Sequence, residues 1–382
     1  MINQSKVNLI FAARLTKEKW FDLVIDFCDA VKWSKWEEKI MIHIFGDGIL
    51  MTQIPNHPRV TYHGQQPKEI LMETWKECDY GLMPSRFLET FGLSALDSLT
   101  VWVPVIGFVK WGLGQFRDWM IEIKEEKDFV PWVFEALWNI NTAEYDSLSK
   151  NCKDIAWRYT WDIWRTRFEE IVWVKIKWSK ILMVSDYSGK IWWIESYIYQ
   201  VLDKLKSRDA SSTGFMAAGI GKTLTDKFFT FINVFNKKSL WKRVNKYIKN
   251  NQPDLIWRHS IQRAIWFWAF AKNVDISWPK QVLMIHDFGI IFPFPSLLHS
   301  EDQLLTSFTF SERKEAGFQS FWGGLLKKFL RFIPLWFKFR SSKKMIKKIH
   351  SSIDVVLVPS EFMKIIFEKY FPGKIEVLSH AL

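Results

Sequence analysis

The stretch Val7-Asn8-Leu9-Ile10-Phe11-Ala12-Ala13-Arg14-Leu15-Thr16-Lys17-Glu18-Lys19-Trp20 joins an apolar run to a basic turn, and Phe21–Ala30 follows with apolar residues at helical spacing. Strand, turn and helix make one βα unit. The pattern recurs, with strands expected at Ile40–Phe45, Val60–Tyr62, Tyr80–Met83 and Val103–Ile106, and helices at Lys68–Glu77 and Leu93–Leu99. A last helix over Ala143–Val172 closes this half. Short strands alternating with helices predict a parallel sheet. The series restarts with a strand at Lys180–Ser185 and a helix over Trp193–Lys206, then strands at Leu255–Arg258, Val282–His286 and Val355–Pro359. Residues 208–222, rich in Ser, Gly and Ala, read as a loop. The fold class is therefore α/β, with two Rossmann-like domains at 1–172 and 178–382.

A length of 382 residues suits two domains, and 48% apolar with 25% charged residues is a globular balance. No apolar run approaches the roughly 20 residues that span a bilayer. No N-terminal leader is read, so the expected compartment is the cytoplasm. Cys28, Cys78 and Cys152 lack pairing or metal-ligand spacing and read as buried thiols; no metal site is expected. Charge is unevenly placed. Residues 1–170 hold 20 Lys and Arg against 25 Asp and Glu (net −5), leaving 33 and 16 for the rest (net +17). Residues 318–350 interleave Phe321, Leu325, Phe329 and Trp336 with Lys327, Lys328, Arg331 and Lys338. That pattern suits either an anionic membrane surface, at the inner face of the cell membrane, or an amphipathic helix packed on its own sheet. Nucleic acid is not expected as a partner, because no recognised module accompanies the charge.

The 23 tryptophans outnumber the 17 glycines. Many stand where a backbone asks for glycine: Trp20 after the basic turn, Trp102 before Val-Pro-Val, Trp111 before Gly112, and Trp192-Trp193 opening a helix. One reading is that UGA codons meaning glycine have been written as tryptophan. Converting about 18 of them would bring glycine to about 9%, near ordinary usage. The other is an aromatic-rich protein whose indoles fill cores.

Two groups of residues carry chemistry. Arg14 and Lys19 flank the turn after the first strand, at the edge where open α/β sheets bind ligands, and suit a diphosphate. The segment Pro84-Ser85-Arg86-Phe87-Leu88-Glu89-Thr90-Phe91-Gly92-Leu93 precedes a helix whose Asp97 lies two turns after Glu89. Two such acids can hold hydroxyls at either end of a sugar nucleotide, while the amides around Phe91, Gly92 and Leu93 face it from a helix N-terminus. Gly219-Ile220-Gly221-Lys222-Thr223 resembles a P-loop, but its first glycine would fall at Met216 and no strand is expected to lead in.

Taken with Phe45-Gly46-Asp47-Gly48 and Trp102-Val103-Pro104-Val105-Ile106, these segments resemble the donor-binding domain of glycosyltransferase family four, of the GT-B fold. The second half resembles the acceptor domain of the same family, through Lys180–Ser185, Trp192-Trp193-Ile194-Glu195, His286-Asp287 and Val358-Pro359-Ser360-Glu361. The domain order is then inverted, as in a circular permutation or a fragment of tandem transferases.

The resemblance implies a retaining transfer from a nucleotide-sugar donor, with no bound metal or permanent cofactor and with a donor cleft between the domains, while the basic second half points to a lipid-linked or envelope glycan as the acceptor. It implies that Arg14 and Lys19 contact the diphosphate, Glu89 the transferred sugar and Asp97 the ribose, alongside Thr90, Phe91, Gly92 and Leu93. It places His286 near the reacting sugar, and Gly189, Trp192 and Trp193 near the phosphates. Asp97 stands where the family usually has glutamate. A degenerate, non-catalytic surface protein is the competing expectation.

Overall fold

A computed structural model describes residues 6–85, 89–139, 142–187, 193–208, 212–219, 246–259, 279–291 and 346–381 without 348. They form an α/β protein with two six-stranded sheets, and every strand pairing in both is parallel. The chain divides into two compact units, one running to Ile163 and taking in His380, the other beginning at Trp164.

In the first unit the elements run β1 (Val7–Ala12), α1 (Phe21–Lys32), β2 (Ile40–Phe45), β3 (Val60–Gly64), α2 (Lys68–Lys76), β4 (Tyr80–Met83), α3 (Leu93–Thr100), β5 (Val105–Gly107), β6 (Met120–Glu122), α4 (Phe129–Asn139) and α5 (Thr142–Ala156). The sheet order is β3-β2-β1-β4-β5-β6. Alternation along β1 sends its residues to opposite faces. Leu9 and Phe11 join Phe21, Val24 and Phe27 of α1 and Phe129 and Val133 of α4, whereas Ile10 packs with Trp75 of α2. Each of these fully buried side chains contributes roughly 1.5–3 kcal/mol of hydrophobic stabilisation. On α3 and α5, Leu96, Leu99, Cys152 and Ile155 close over Val105.

The second unit holds β7 (Lys180–Tyr187), α7 (Trp193–Arg208), β8 (Ser212–Gly219), β9 (Leu255–His259), β10 (Lys280–Met284), β11 (Val355–Val358), α8 (Glu361–Glu368) and β12 (Ile375–Val377). Its sheet order is β12-β11-β10-β9-β7-β8. The α6 helix (Trp161–Val172) supplies Trp164 and Phe168, which stack on Trp257 of β9 at 5.7 and 4.6 Å between ring centroids.

Three sequence expectations are corrected. Ser212–Gly219, expected within a loop, is an edge strand paired with β7 from Lys180↔Ser212 to Tyr187↔Gly219. Its small residues hide a ladder made by backbone groups. A strand therefore does lead to Gly219, which removes one of the two objections to a P-loop; the other, Met216 in place of its first glycine, stands, and residues 220–223 lie outside the described residues. The helix expected over Ala143–Val172 is broken by a 3-10 turn at Trp157–Tyr159 and extended Thr160. Tyr159 is buried against Phe91 and Phe116, so tertiary packing outcompetes helix continuity there. The cationic stretch lies outside the described residues from 318 to 345. No helix among the described residues is long and apolar enough to cross a membrane.

One device recurs in both sheets at the edge where the strands begin. Asp79, Asp254 and Asp354 each immediately precede a strand, and each accepts a backbone N–H from the neighbouring strand: Asn8 at 2.7 Å, Lys180 at 2.8 Å and Gln281 at 2.6 Å. Each aspartate donates its own N–H back to the carbonyl of that same residue, at 2.8, 2.8 and 2.9 Å.

Candidate functional site

After β1 the chain goes outward to β2 and β3, then returns to β4 on the other side of β1. The loops leaving the carboxyl ends of β1 and β4 therefore diverge at the point where open α/β sheets form a ligand crevice.

The β1 loop, residues 13–20, is held against the turn after β2. Ala13 N–H donates to Phe45 O at 3.2 Å, Leu15 N–H to Asp47 O at 3.0 Å, and Leu50 N–H to Leu15 O at 3.0 Å. Backbones can come this close because Gly46 and Gly48 have no side chain. A Cβ on Gly46 would stand 1.9 Å from Ala13 O, and one on Gly48 2.4 Å from Leu15 O. Lys17–Lys19 then forms a 3-10 turn that places Lys19 beside the β4 loop, while Arg14 is exposed.

From the β4 loop Glu89 enters a buried position, where one carboxylate oxygen takes hydrogen bonds from Lys19 Nζ and, at 2.9 Å, from Ser85 Oγ. Lys19 and Glu89, 70 positions apart in sequence, are thus brought into direct contact. The Glu89 carbonyl accepts Gly112 N–H at 2.9 Å. A Cβ on Gly112 would strike that carbonyl oxygen at 2.4 Å, so this position also requires glycine. Gln115 Nε2 spans Phe91 O at 3.1 Å and Gly112 O at 2.7 Å, which fixes the same loop from the other side.

Thr90 and Phe91 are buried, and Phe91 packs edge-on against Phe116 and His380. Gly92 caps α3 at φ 97°, and Leu93 opens the helix. Ser94 Oγ donates to Ala12 O at 2.7 Å, which ties the first turn of α3 to the end of β1. Asp97, one turn further, pairs with Lys68 of α2 at 2.9 Å. Burial pushes the Asp97 carboxyl above the ordinary range, and Lys68 opposes that shift.

Of the residues that sequence reasoning singled out, the fold brings Lys19 and Glu89 into contact and places Asp97 on α3. That reasoning assigned no role to Ser85, Lys68, Gly112 or Gln115. Gly112 and Gln115 could not have been found from spacing, since their importance lies in long-range backbone contact.

In the second unit His286 follows β10, fully buried, with its Nε2 3.1 Å from Nδ1 of His259 and its ring 5.6 Å from that of Tyr197. Gly189 and Trp192 lie outside the described residues, and Trp193 opens α7 with its side chain undescribed. Cys28, Cys78 and Cys152 are free and buried, each thiol pushed up to about 12 by burial.

Residues 2–114 match the family model of glycosyl transferases group 1. The match runs from β1 past the Glu89 loop to Gly112 and Gly114, so Lys19, Ser85, Glu89 and Asp97 all fall inside it. The chain also has a relative among known proteins, the uncharacterized 41.2 kDa protein in the cps region of Klebsiella pneumoniae, 31% identical over 107 residues. That alignment covers 28% of this chain and 28% of the relative, so the chain spans less than a third of that protein's length. Among solved structures, the chain is similar to Anabaena HepE in complex with UDP-glucose, at 14% identity, 39% and 43% coverage and a TM-score of 0.31. It is also similar to WaaG, a glycosyltransferase involved in lipopolysaccharide biosynthesis, at 16% identity, 41% and 44% coverage and a TM-score of 0.35.

Proposed function

We propose that the protein is a nucleotide-sugar-dependent glycosyltransferase whose first unit binds the donor and whose second unit binds the acceptor. The carrying observation is the Lys19–Glu89–Ser85 cluster at the β1/β4 crevice, inside the segment that matches the family model. Cleaving a sugar from a nucleoside diphosphate leaves negative charge on the departing phosphate. The ammonium of Lys19 and the guanidinium of Arg14 supply the compensating positive charge from one loop. Lys19 has three N–H donors, so it can hold Glu89 and a phosphate oxygen together. The Glu89 carboxylate accepts hydrogen bonds only, which suits sugar hydroxyls. Asp97, kept beside Lys68, is the candidate ribose contact.

We further propose a retaining transfer that uses no resident metal, with His286 close to the reacting sugar. The acceptor is a glycan or lipid-linked precursor of the envelope, used in the cytoplasm at the inner membrane face. The relative in a cps region and the basic second half support this part of the reading.

The test is donor turnover: release of nucleoside diphosphate from a panel of nucleotide sugars, with equilibrium binding of the free diphosphate measured alongside. Arg14→Ala and Glu89→Ala should each abolish transfer while the circular dichroism spectrum is kept. Full activity in either variant removes that residue from the mechanism. Absence of both turnover and diphosphate binding would favour a non-catalytic surface protein.

A further inference from the structure

Among the described residues, five non-glycine residues have φ in the left-handed region, and four of them are tryptophan: Trp20 (52°), Trp102 (62°), Trp111 (54°) and Trp173 (57°). The fifth is Gln252. For an L-residue this region brings Cβ against the backbone, and the non-glycine residues that tolerate it are mainly Asn and Asp, which are small and bond locally. A bulky indole is among the residues least expected there.

The four positions are also those where helices and turns end or begin. Trp173 directly follows α6, and its N–H bonds to Glu169 O at 2.9 Å. Trp102 lies just past α3, with its N–H on Leu99 O at 3.2 Å. Trp20 separates the Lys17–Lys19 turn from α1, and Trp111 opens the 3-10 segment Trp111–Trp119. Helices end most readily on a left-handed glycine at such sites. Packing does not account for the indoles of Trp173 and Trp102, which are 86% and 46% exposed, although Trp20 is buried.

A second set of tryptophans behaves differently. Trp75, Trp119, Trp164 and Trp257 are buried, lie outside the left-handed region and fill their surroundings; the Trp75 ring occupies the space over Gly81, where a Cβ would meet it at 2.5 Å. Core filling thus explains this set and fails for Trp102 and Trp173, while left-handed backbone geometry singles out all four positions 20, 102, 111 and 173. The excess of tryptophan over glycine in the composition, 23 against 17, points the same way.

We infer that residues 20, 102, 111 and 173 of the functional protein are glycine, inserted at UGA codons that the producing cell reads as glycine and that a different codon table renders as tryptophan. UGA differs from the glycine codon GGA in one base, so a glycine tRNA with a single anticodon change delivers it. The inference rests on backbone geometry and stands independently of the proposed transfer. Its consequence for the site is local: residue 20 ends the loop that carries Lys19, and the indole written there is buried edge-on against Phe108 at 4.3 Å.

Codons alone do not decide the matter, because UGA is read as tryptophan in some cells. The decisive experiment is tandem mass spectrometry of the protein purified from the cells that carry the gene, covering peptides that contain positions 20, 102, 111 and 173. Glycine at three or all four positions supports the inference, and tryptophan at two or more overturns it. A second measurement uses the recombinant chain as written. Trp173→Gly should raise Tm by about 2–4 °C as left-handed strain is relieved. Trp33→Gly, at an 83% exposed residue with φ −105°, should give no rise. An equal response at both positions would overturn the strain argument.

Discussion

Gly46→Ala is the most direct test of how the candidate site is held. Gly46 sits at φ 128°, a conformation that costs an L-residue roughly 1–3 kcal/mol. Its new Cβ would stand 1.9 Å from Ala13 O, and the obstacle is backbone, which no rotamer change can move aside. Overpacking of that kind costs typically 1–3 kcal/mol more. The combined loss is about 4 kcal/mol, or a fall of about 8–16 °C in Tm for a unit of this size. Because Ala13–Leu15 must move, diphosphate binding should weaken as well. Differential scanning calorimetry and titration with nucleoside diphosphate read the two effects. Gly114→Ala is the internal control: no atom lies within 4 Å of its Cβ, and a change within about 0.5 kcal/mol is expected. If Gly46→Ala costs no more than Gly114→Ala, the close-packed account of the β1 loop is wrong.

Further predictions concern titration. Lys68→Ala removes the cation that opposes burial at Asp97, so the Asp97 carboxyl should rise further above its ordinary value. A raised carboxyl stabilises the fold below its unfolded value near 3.9, and that contribution is lost as pH rises through the folded value. The variant should therefore lose more stability than the parent as pH rises above about 4 in urea titrations, and superimposable profiles would refute the coupling. His380 is buried, and burial lowers its imidazole from 6.5 to about 3. Its contribution is complete above pH 6.5 and is lost as pH falls towards 3, with a slope of about 1.4 kcal/mol per pH unit. His380→Gln should flatten that acid limb; an unchanged limb would exclude His380 as its source.

The elements that could be read from the sequence are those whose burial pattern is local. Strands β1, β2, β4 and β7 are short apolar runs, and helices α1 and α3 show one apolar face. What escaped was decided at a distance. The β8 strand draws its identity from backbone pairing with β7, and its Ser, Gly and Ala residues carry no pattern of their own. The break before α6 depends on where Tyr159 is buried. In the site, Lys19 and Glu89 stand out chemically as a cation and an anion at turn positions. Lys68 is an ordinary surface lysine until α2 brings it to Asp97, and Gly112 is one glycine among many until its N–H meets the Glu89 carbonyl.

The aspartates that open β4, β9 and β11 have a consequence for how such a protein changes over time. A slip of one residue in strand pairing would break both bonds of each bracket, so alignment is locked at the edge where the strands begin, which in the first sheet is the edge opposite Lys19 and Glu89. The loops that choose ligands are thereby relieved of any duty to align the strands. They can lengthen, shorten or be exchanged for others while the sheets beneath keep their alignment, so a new specificity can be tried without first having to solve the folding problem again.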